Sequence, residues 1–313
     1  MAVQDALTVH VQLHLVDATY ELFRAHYAPR PPVLGRGGVN LSGVSGVVDQ
    51  LLYLLRDEGA THVGCATDRV IESFRNDLFR GYKSSFGMPR DLLNQFPIVE
   101  AAIEALGLTL WPMVEFEADD AIAAACLKFA DDPRVEQVLV CTPDKDLAQL
   151  VRGERVVLRD RRRAITYDEA GVHAKWGVAP ASIPDWLALV GDSSDGYPGL
   201  PGWGAKSAAA VLARYGSIEA IPARASAWDV ASLRGGATLA GVLRERMDEA
   251  LLYRSLARLR TSAEGVAIPQ ADVEELHWLG TPRAGWETFC DGWGLDRLRS
   301  RPHRWRAEAQ AVM

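Results

Sequence analysis

Apolar positions in the first half of the chain follow two alternating spacings. Runs of strand length occupy Val11–Val16, His62–Thr67, Leu108–Trp111 and Gln137–Cys141. Between them, Val44–Leu55, Leu92–Leu106 and Ala118–Phe129 repeat apolar residues at helical spacing. This alternation predicts an α/β fold, a central mainly parallel sheet flanked by helices. Val156–Leu158 and Ala164–Tyr167, joined by an arginine-rich turn, predict a hairpin. From Asp168 onward the pattern is helical, with Asp168–Trp176, Ile183–Val190 and Lys206–Tyr215 as predicted helices. A soft boundary near residue 170 divides a core, 1–170, from a helical region, 171–313. Residues 222–240 and 263–285 are interrupted by Pro and Gly and weakly patterned.

Carboxylates gather where these elements meet. Asp17 and Asp68 close the first two strands, and Glu117, Asp119 and Asp120 open the alanine-rich helix. Asp144 and Asp146 follow the fourth strand, and Asp192 and Asp195 lie in the run Gly191–Gly199. Ligands of a parallel sheet bind beyond the carboxyl ends of its strands. Asp17, Asp68 and Asp144 are therefore expected on one edge. Taken singly, each acidic group reads as a helix cap or a strand end. Together they conflict, because like charges ~4 Å apart repel by about 4 kcal/mol at an effective dielectric near 20. Divalent cations with oxygen ligands, Mg²⁺ or Mn²⁺, relieve that repulsion. A two-metal phosphodiester-cleaving enzyme is the reading that uses all nine carboxylates.

Two further runs point to a phosphate backbone. Pro198–Ser207 is rich in glycine and leads into a predicted helix carrying Lys206. Glycines let a turn approach a phosphate, and a helix start presents amides to an anion. It is not a nucleotide-binding P-loop, since Ala205 separates Gly204 from Lys206. Gripping of a DNA backbone without regard to sequence fits better. Phe74–Lys83 mixes cations with aromatics, as a segment that pairs phosphates and stacks unpaired bases does. A solvated amphipathic helix is its alternative, and Arg24, between Phe23 and Tyr27, carries the same ambiguity. Arg161–Arg163 reads as a solvated turn.

Composition narrows the class. The 313 residues carry 34 Lys and Arg against 41 Asp and Glu, a net charge of −7, which argues against a protein coating nucleic acid with its whole surface. No run is long and apolar enough for a membrane span, and Asp5, His10 and His14 interrupt any leader-like stretch. Cys65, Cys126, Cys141 and Cys290 lack zinc or redox spacing and read as buried free thiols in a reduced cytoplasm. The seven histidines show no ligand spacing.

These motifs resemble those of the bacterial 5′-nucleases, the flap endonuclease and 5′–3′ exonuclease group, over roughly residues 10–260. Leu15-Val-Asp17, Glu117-Ala-Asp-Asp120, Thr142-Pro-Asp-Lys-Asp146 and Gly191-Asp-Ser-Ser-Asp195 are similar to its acidic signatures. Ser73-Phe-Arg75, continuing to Gly81-Tyr-Lys83, resembles the segment entering its helical arch, placed here at about 72–95. Pro201-Gly-Trp-Gly204 resembles its helix–three-turn–helix clamp, placed at about 185–216.

The resemblance implies a PIN-like core and residue roles. Asp17, Asp68, Glu117, Asp119 and Asp120 would serve mainly a first metal, and Asp144, Asp146, Asp192 and Asp195 a second. Lys83 and Arg75 would contact the scissile phosphate, and Tyr82 would stack near the strand end. Arg24, Arg80, Gly199, Gly202, Gly204, Lys206 and Ser207 would contact DNA, with K⁺ bound by backbone carbonyls around Pro201–Gly204. The implied substrate is branched or 5′-ended DNA, RNA-primed DNA included, and the implied protein a cytoplasmic, nucleoid-associated monomer. No polymerase domain follows, so a free-standing enzyme is expected. Gly196 departs from the family's usual asparagine, Asp68 sits in Thr-Asp-Arg, and Phe86 lies in a usually more basic stretch. The rivals are a DNA-structure-binding protein of the same fold that does not cut, and a metal-dependent phosphatase with strand-end aspartates.

Overall fold

A computed structural model describes residues 10–230 and 233–307. Asp5 and the outer limits of both expected domains lie outside those residues. Six strands form one sheet in the order β3-β2-β1-β4-β5-β6: β1 Val11–Asp17, β2 His62–Asp68, β3 Thr109–Met113, β4 Val135–Cys141, β5 Val156–Asp160 and β6 Ile165–Tyr167. All neighbours are parallel except β5 and β6, the expected hairpin. β3 is an edge strand, where Pro112 can be tolerated without breaking the interior of the sheet.

The sheet is buried on both faces. Leu13, Leu15, Val138 and Val140 pack on one side against α6 (Ala118–Phe129), α8 (Ile183–Val190), α9 (Ala205–Tyr215), α10 (Gly236–Glu245) and α11 (Met247–Ala257). Val16, Val63, Cys65 and Cys141 face α1 (Ala18–His26), α2 (Ser42–Arg56) and α5 (Phe96–Ala105) on the other. α7 (Glu169–Trp176) follows the hairpin. All four cysteines are buried and free. Among the described residues no helix is long and apolar enough to cross a membrane.

Two expectations need correction. The continuous helix predicted over Leu92–Leu106 is two helices, α4 (Arg90–Leu93) and α5, because Pro97 has no N–H to bond the Leu93 carbonyl and suits a first turn. The expected arch at 72–95 holds only α3 (Phe74–Leu78) and α4, with residues 79–89 crossing between them without helix. Its tip carries Phe86, 96% exposed. The C-terminal extension expected after the helical region packs on the other face of the sheet. α12 (Arg283–Trp293) and α13 (Asp296–Arg299) return to the first layer, where Trp286, Cys290 and Leu298 are fully buried beside α5 and α2. Trp278 completes that contact by donating from Nε1 to the Leu106 carbonyl, 2.9 Å.

Candidate active site

The strand order reverses at β1, with β2 and β3 on one side and β4 to β6 on the other. A crevice opens at such a point, beyond the strand ends. Asp17 ends β1 and also starts α1, its Oδ1 accepting from the Tyr20 amide at 2.8 Å. Asp68 ends β2, with Oδ1 accepting from the Ala118 amide at 2.6 Å, so the start of α6 is tied to that strand. Thr142, just past β4, donates to Asp17 Oδ2 at 3.3 Å and orders the turn holding Asp144. Asp17, Asp68, Glu117, Asp119, Asp144 and Asp195 all line one cleft of about 370 Å³, together with Lys83.

Confinement changes how these carboxyls titrate. Burial, then Asp68 and Asp144, pushes Asp17 up to about 7 against the Tyr20 hydrogen bond. Burial raises Asp68 to about 6, with Lys83 opposing and Glu117 adding to the shift. Asp119 is held well above the usual carboxylate range by burial, then by Asp17 and Asp144. Glu117 behaves oppositely. Burial works against its charge, but the Lys83 ammonium and Arg75 guanidinium hold it down at about 2.

Asp146, Asp192 and Asp195 form a second group, one oxygen from each lying within 4.8 Å of the others. Asp192 and Asp195 belong to a tight loop closed by the Asp192–Tyr197 backbone pair. Gly196 has φ +88° there, and a Cβ on it would sit 2.1 Å from the Gly81 carbonyl oxygen. Glycine in place of asparagine thus lets the 79–89 segment lie directly on this loop, where the Lys83 amide donates to the Asp195 carbonyl at 2.9 Å. Burial, then Asp144 and Asp195, raises Asp146, whose Oδ1 is buried without a hydrogen-bond partner among the described residues.

One lysine bridges these groups and a second sits within the Asp146–Asp192–Asp195 group. Lys83 Nζ lies 2.8 Å from Glu117 Oε2 and 3.2 Å from Asp195 Oδ1. Burial disfavours its charge, but Glu117 and Asp195 keep it firmly protonated. Lys145 pairs with Asp192 and reaches Asp146 at 3.8 Å. Sequence reasoning assigned Lys145 no role, although a lysine held between two acids, Asp144 and Asp146, was the available signal.

Packing places three of the expected site residues away from open solvent. Asp120 does not face the cleft. It is 0% exposed and takes a bidentate pair from Arg75, 2.7 and 2.8 Å, plus the amides of Glu117 and Arg260. Arg75, 1% exposed, spends its remaining donors on the Leu256 and Arg258 carbonyls, so it cannot meet a phosphate from this position. The pair instead fastens the end of α11 to the start of α6. Tyr82 is 4% exposed, its hydroxyl 3.2 Å from Asp195 and 3.4 Å from Glu117, which leaves no ring face for a base.

The other sites divide. Gly202, Gly204, Lys206 and Ser207 line an open groove of about 610 Å³ with Arg234, which the sequence did not single out. Ser207 also closes its own turn through Gly204. Gly199 is not on that groove. With φ +70° it packs against Gly191, where a Cβ would meet backbone at 2.4 Å, so its part is to shape the turn. Arg24 pairs with Glu21 on α1, and Arg80 is exposed on the 79–89 segment.

An acidic cleft at the switch point of a mainly parallel sheet, with a helical region packed beside it, suits metal-assisted chemistry on phosphate esters, and comparison with known proteins narrows the class to a nuclease. The family model for the 5′-3′ exonuclease N-terminal resolvase-like domain matches residues 12–177, and that for the 5′-3′ exonuclease C-terminal SAM fold matches 178–278. The chain belongs to the 5′-3′ exonuclease family. It is 32% identical over 210 residues to a 5′-3′ exonuclease of Aquifex aeolicus, covering 67% of this chain and 71% of that one. It is 37% identical over 214 residues to DNA polymerase I of Mycobacterium leprae, covering 67% of this chain but only 23% of the polymerase. Its fold is similar to that of T5 5′-exonuclease with bound divalent metal ions (zinc), at TM-score 0.62 and 17% identity over 79% of this chain and 89% of the other.

Proposed function

We propose that the chain is a structure-specific 5′ nuclease that hydrolyses phosphodiester bonds at 5′ ends or 5′ flaps of branched DNA, with RNA-primed DNA among its substrates. The observation that carries this reading is the pairing of two carboxylate groups around one lysine. Asp17, Asp68, Asp119 and Asp144 flank Lys83 on one side, and Asp146, Asp192 and Asp195 on the other.

The residues fit divalent cations. Every acidic donor is a carboxylate oxygen, the charges are crowded enough to raise several carboxyls, and Asp146 Oδ1 lacks a hydrogen-bond partner among the described residues. Asp17, Asp68, Glu117, Asp119 and Asp144 would hold one Mg²⁺ or Mn²⁺, and Asp146, Asp192 and Asp195 a second. Such ions, when bound, activate water and offset charge on a phosphoryl group. The chain's own part is to bring the phosphate there and hold it. Lys83 supplies a fixed ammonium at the cleft, where developing charge on phosphate oxygens is stabilised without rearrangement. The groove around Lys206 and Arg234 grips duplex backbone by charge alone. K⁺ at the backbone of Pro201–Gly204 and action as a monomer complete the reading.

The test is cleavage of a 5′-labelled flap and a matched blunt duplex with Mg²⁺, with Mn²⁺ and with EDTA. Metal-dependent cuts near the flap junction are expected; tight binding to the flap without cutting would favour a structural binder instead. Lys206→Ala, assayed by duplex binding across a salt series, should weaken affinity and lower the log–log salt slope by about 1. An unchanged slope removes Lys206 from the DNA contact.

A further inference from the structure

The far end of β2 holds a second constellation, remote from the acidic cleft. His62 begins this strand and Asp68 ends it, so the two are separated by about 20 Å at ~3.3 Å per residue. Residues 273–278 run alongside. His277 forms an antiparallel bridge with His62, and the Trp278 amide donates to the Thr61 carbonyl at 2.8 Å. This pairing fixes the two side chains as cross-strand neighbours. Their rings lie 4.9 Å apart and nearly parallel, 10° between planes. Glu274, one turn earlier, reaches back until its Oε2 is 3.6 Å from His62 Nε2.

His62 is only 3% exposed, yet its Nε2 has no hydrogen-bond partner among the described residues. A buried ring nitrogen left so is costly unless something meets it. Its other nitrogen, Nδ1, is engaged by Thr61 Oγ1 at 3.0 Å. One ring nitrogen anchored and the other facing a carboxylate is how a metal-binding histidine is oriented. One ligand atom from each of His62, Glu274 and His277 lies within 4.8 Å of the others. Glu274 is exposed and His277 half-buried, so both can move the remaining distance toward the fixed His62. The nearby guanidinium of Arg134 is already neutralised by Asp132 and Asp272.

We infer that His62, Glu274 and His277 bind a divalent transition-metal ion of the zinc class, which pins residues 273–277 to the amino end of β2. Two imidazoles and one carboxylate form a nitrogen-containing donor set that suits Zn²⁺, Ni²⁺ or Cu²⁺ rather than Mg²⁺. The site is thus chemically distinct from the all-oxygen cleft. Its expected effect is on stability, since an ion bound only by the folded chain raises the unfolding temperature.

The experiment is thermal unfolding of the full chain with saturating Mg²⁺ present, with and without added Zn²⁺. It uses the Asp146→Asn background, which weakens the cleft as a competing site. Zn²⁺ should raise the unfolding temperature by several degrees, and His277→Ala in the same background should abolish the rise. Glu274→Gln, an exposed change that leaves the fold intact, should reduce it. A rise that persists in both variants, or no rise at all before substitution, overturns the assignment.

Discussion

Asp120→Ala should destabilise the protein by about 3–5 kcal/mol, because it leaves the buried Arg75 guanidinium without its counter-charge. For a chain of this size that is a drop of roughly 5–8 °C in unfolding temperature. The comparison that isolates the cause is the double variant Arg75→Met with Asp120→Leu. Replacing both partners by apolar groups removes the charge with its partner, so the double variant should be markedly more stable than Asp120→Ala. Were Asp120 a metal ligand instead, Asp120→Ala would lose metal affinity while keeping its stability. Unfolding followed by circular dichroism, in EDTA, separates the two.

Lys83→Ala should lower kcat roughly 10²–10³-fold, the usual loss when a fixed charge on a developing oxyanion is removed. KM should change far less, because the groove around Lys206 lies outside the cleft and supplies contacts independent of Lys83. Single-turnover cleavage at saturating Mg²⁺ provides the measurement. A rise in KM with kcat preserved would mean that Lys83 only helps hold DNA.

The edge of the sheet was legible in the sequence because apolar strands end abruptly at carboxylates. Asp17 and Asp68 lie within a residue of the predicted strand ends, and the α6 and α8 bounds coincide with the apolar pattern. Neighbours within one turn were not legible. Asp119 and Asp120 are consecutive on α6, about 100° apart around the helix, so one faces the cleft and the other the interior. Which is which depends on Arg75. The Arg75 guanidinium in turn is fixed by a carbonyl 181 residues away, a contact no local spacing can reveal. The same holds for Tyr82, whose hydroxyl meets Asp195 across 113 residues. Where the C-terminal extension packs was not legible because Pro and Gly break its pattern, although Trp278 and Trp286 carry the apolar surface that draws it back to the sheet. His62 and His277 have no spacing to detect, since a strand pairing alone makes them neighbours.

The most direct test of the nuclease cleft is Asp146→Asn, measured for flap-DNA cleavage and flap-DNA binding in the same Mg²⁺ buffer. Asp146 is buried, carries an oxygen without a hydrogen-bond partner among the described residues and sits with Asp192 and Asp195, yet does not line the groove around Lys206. Cleavage should fall below detection while binding stays close to that of the unaltered protein. Full cleavage by Asp146→Asn would contradict the account.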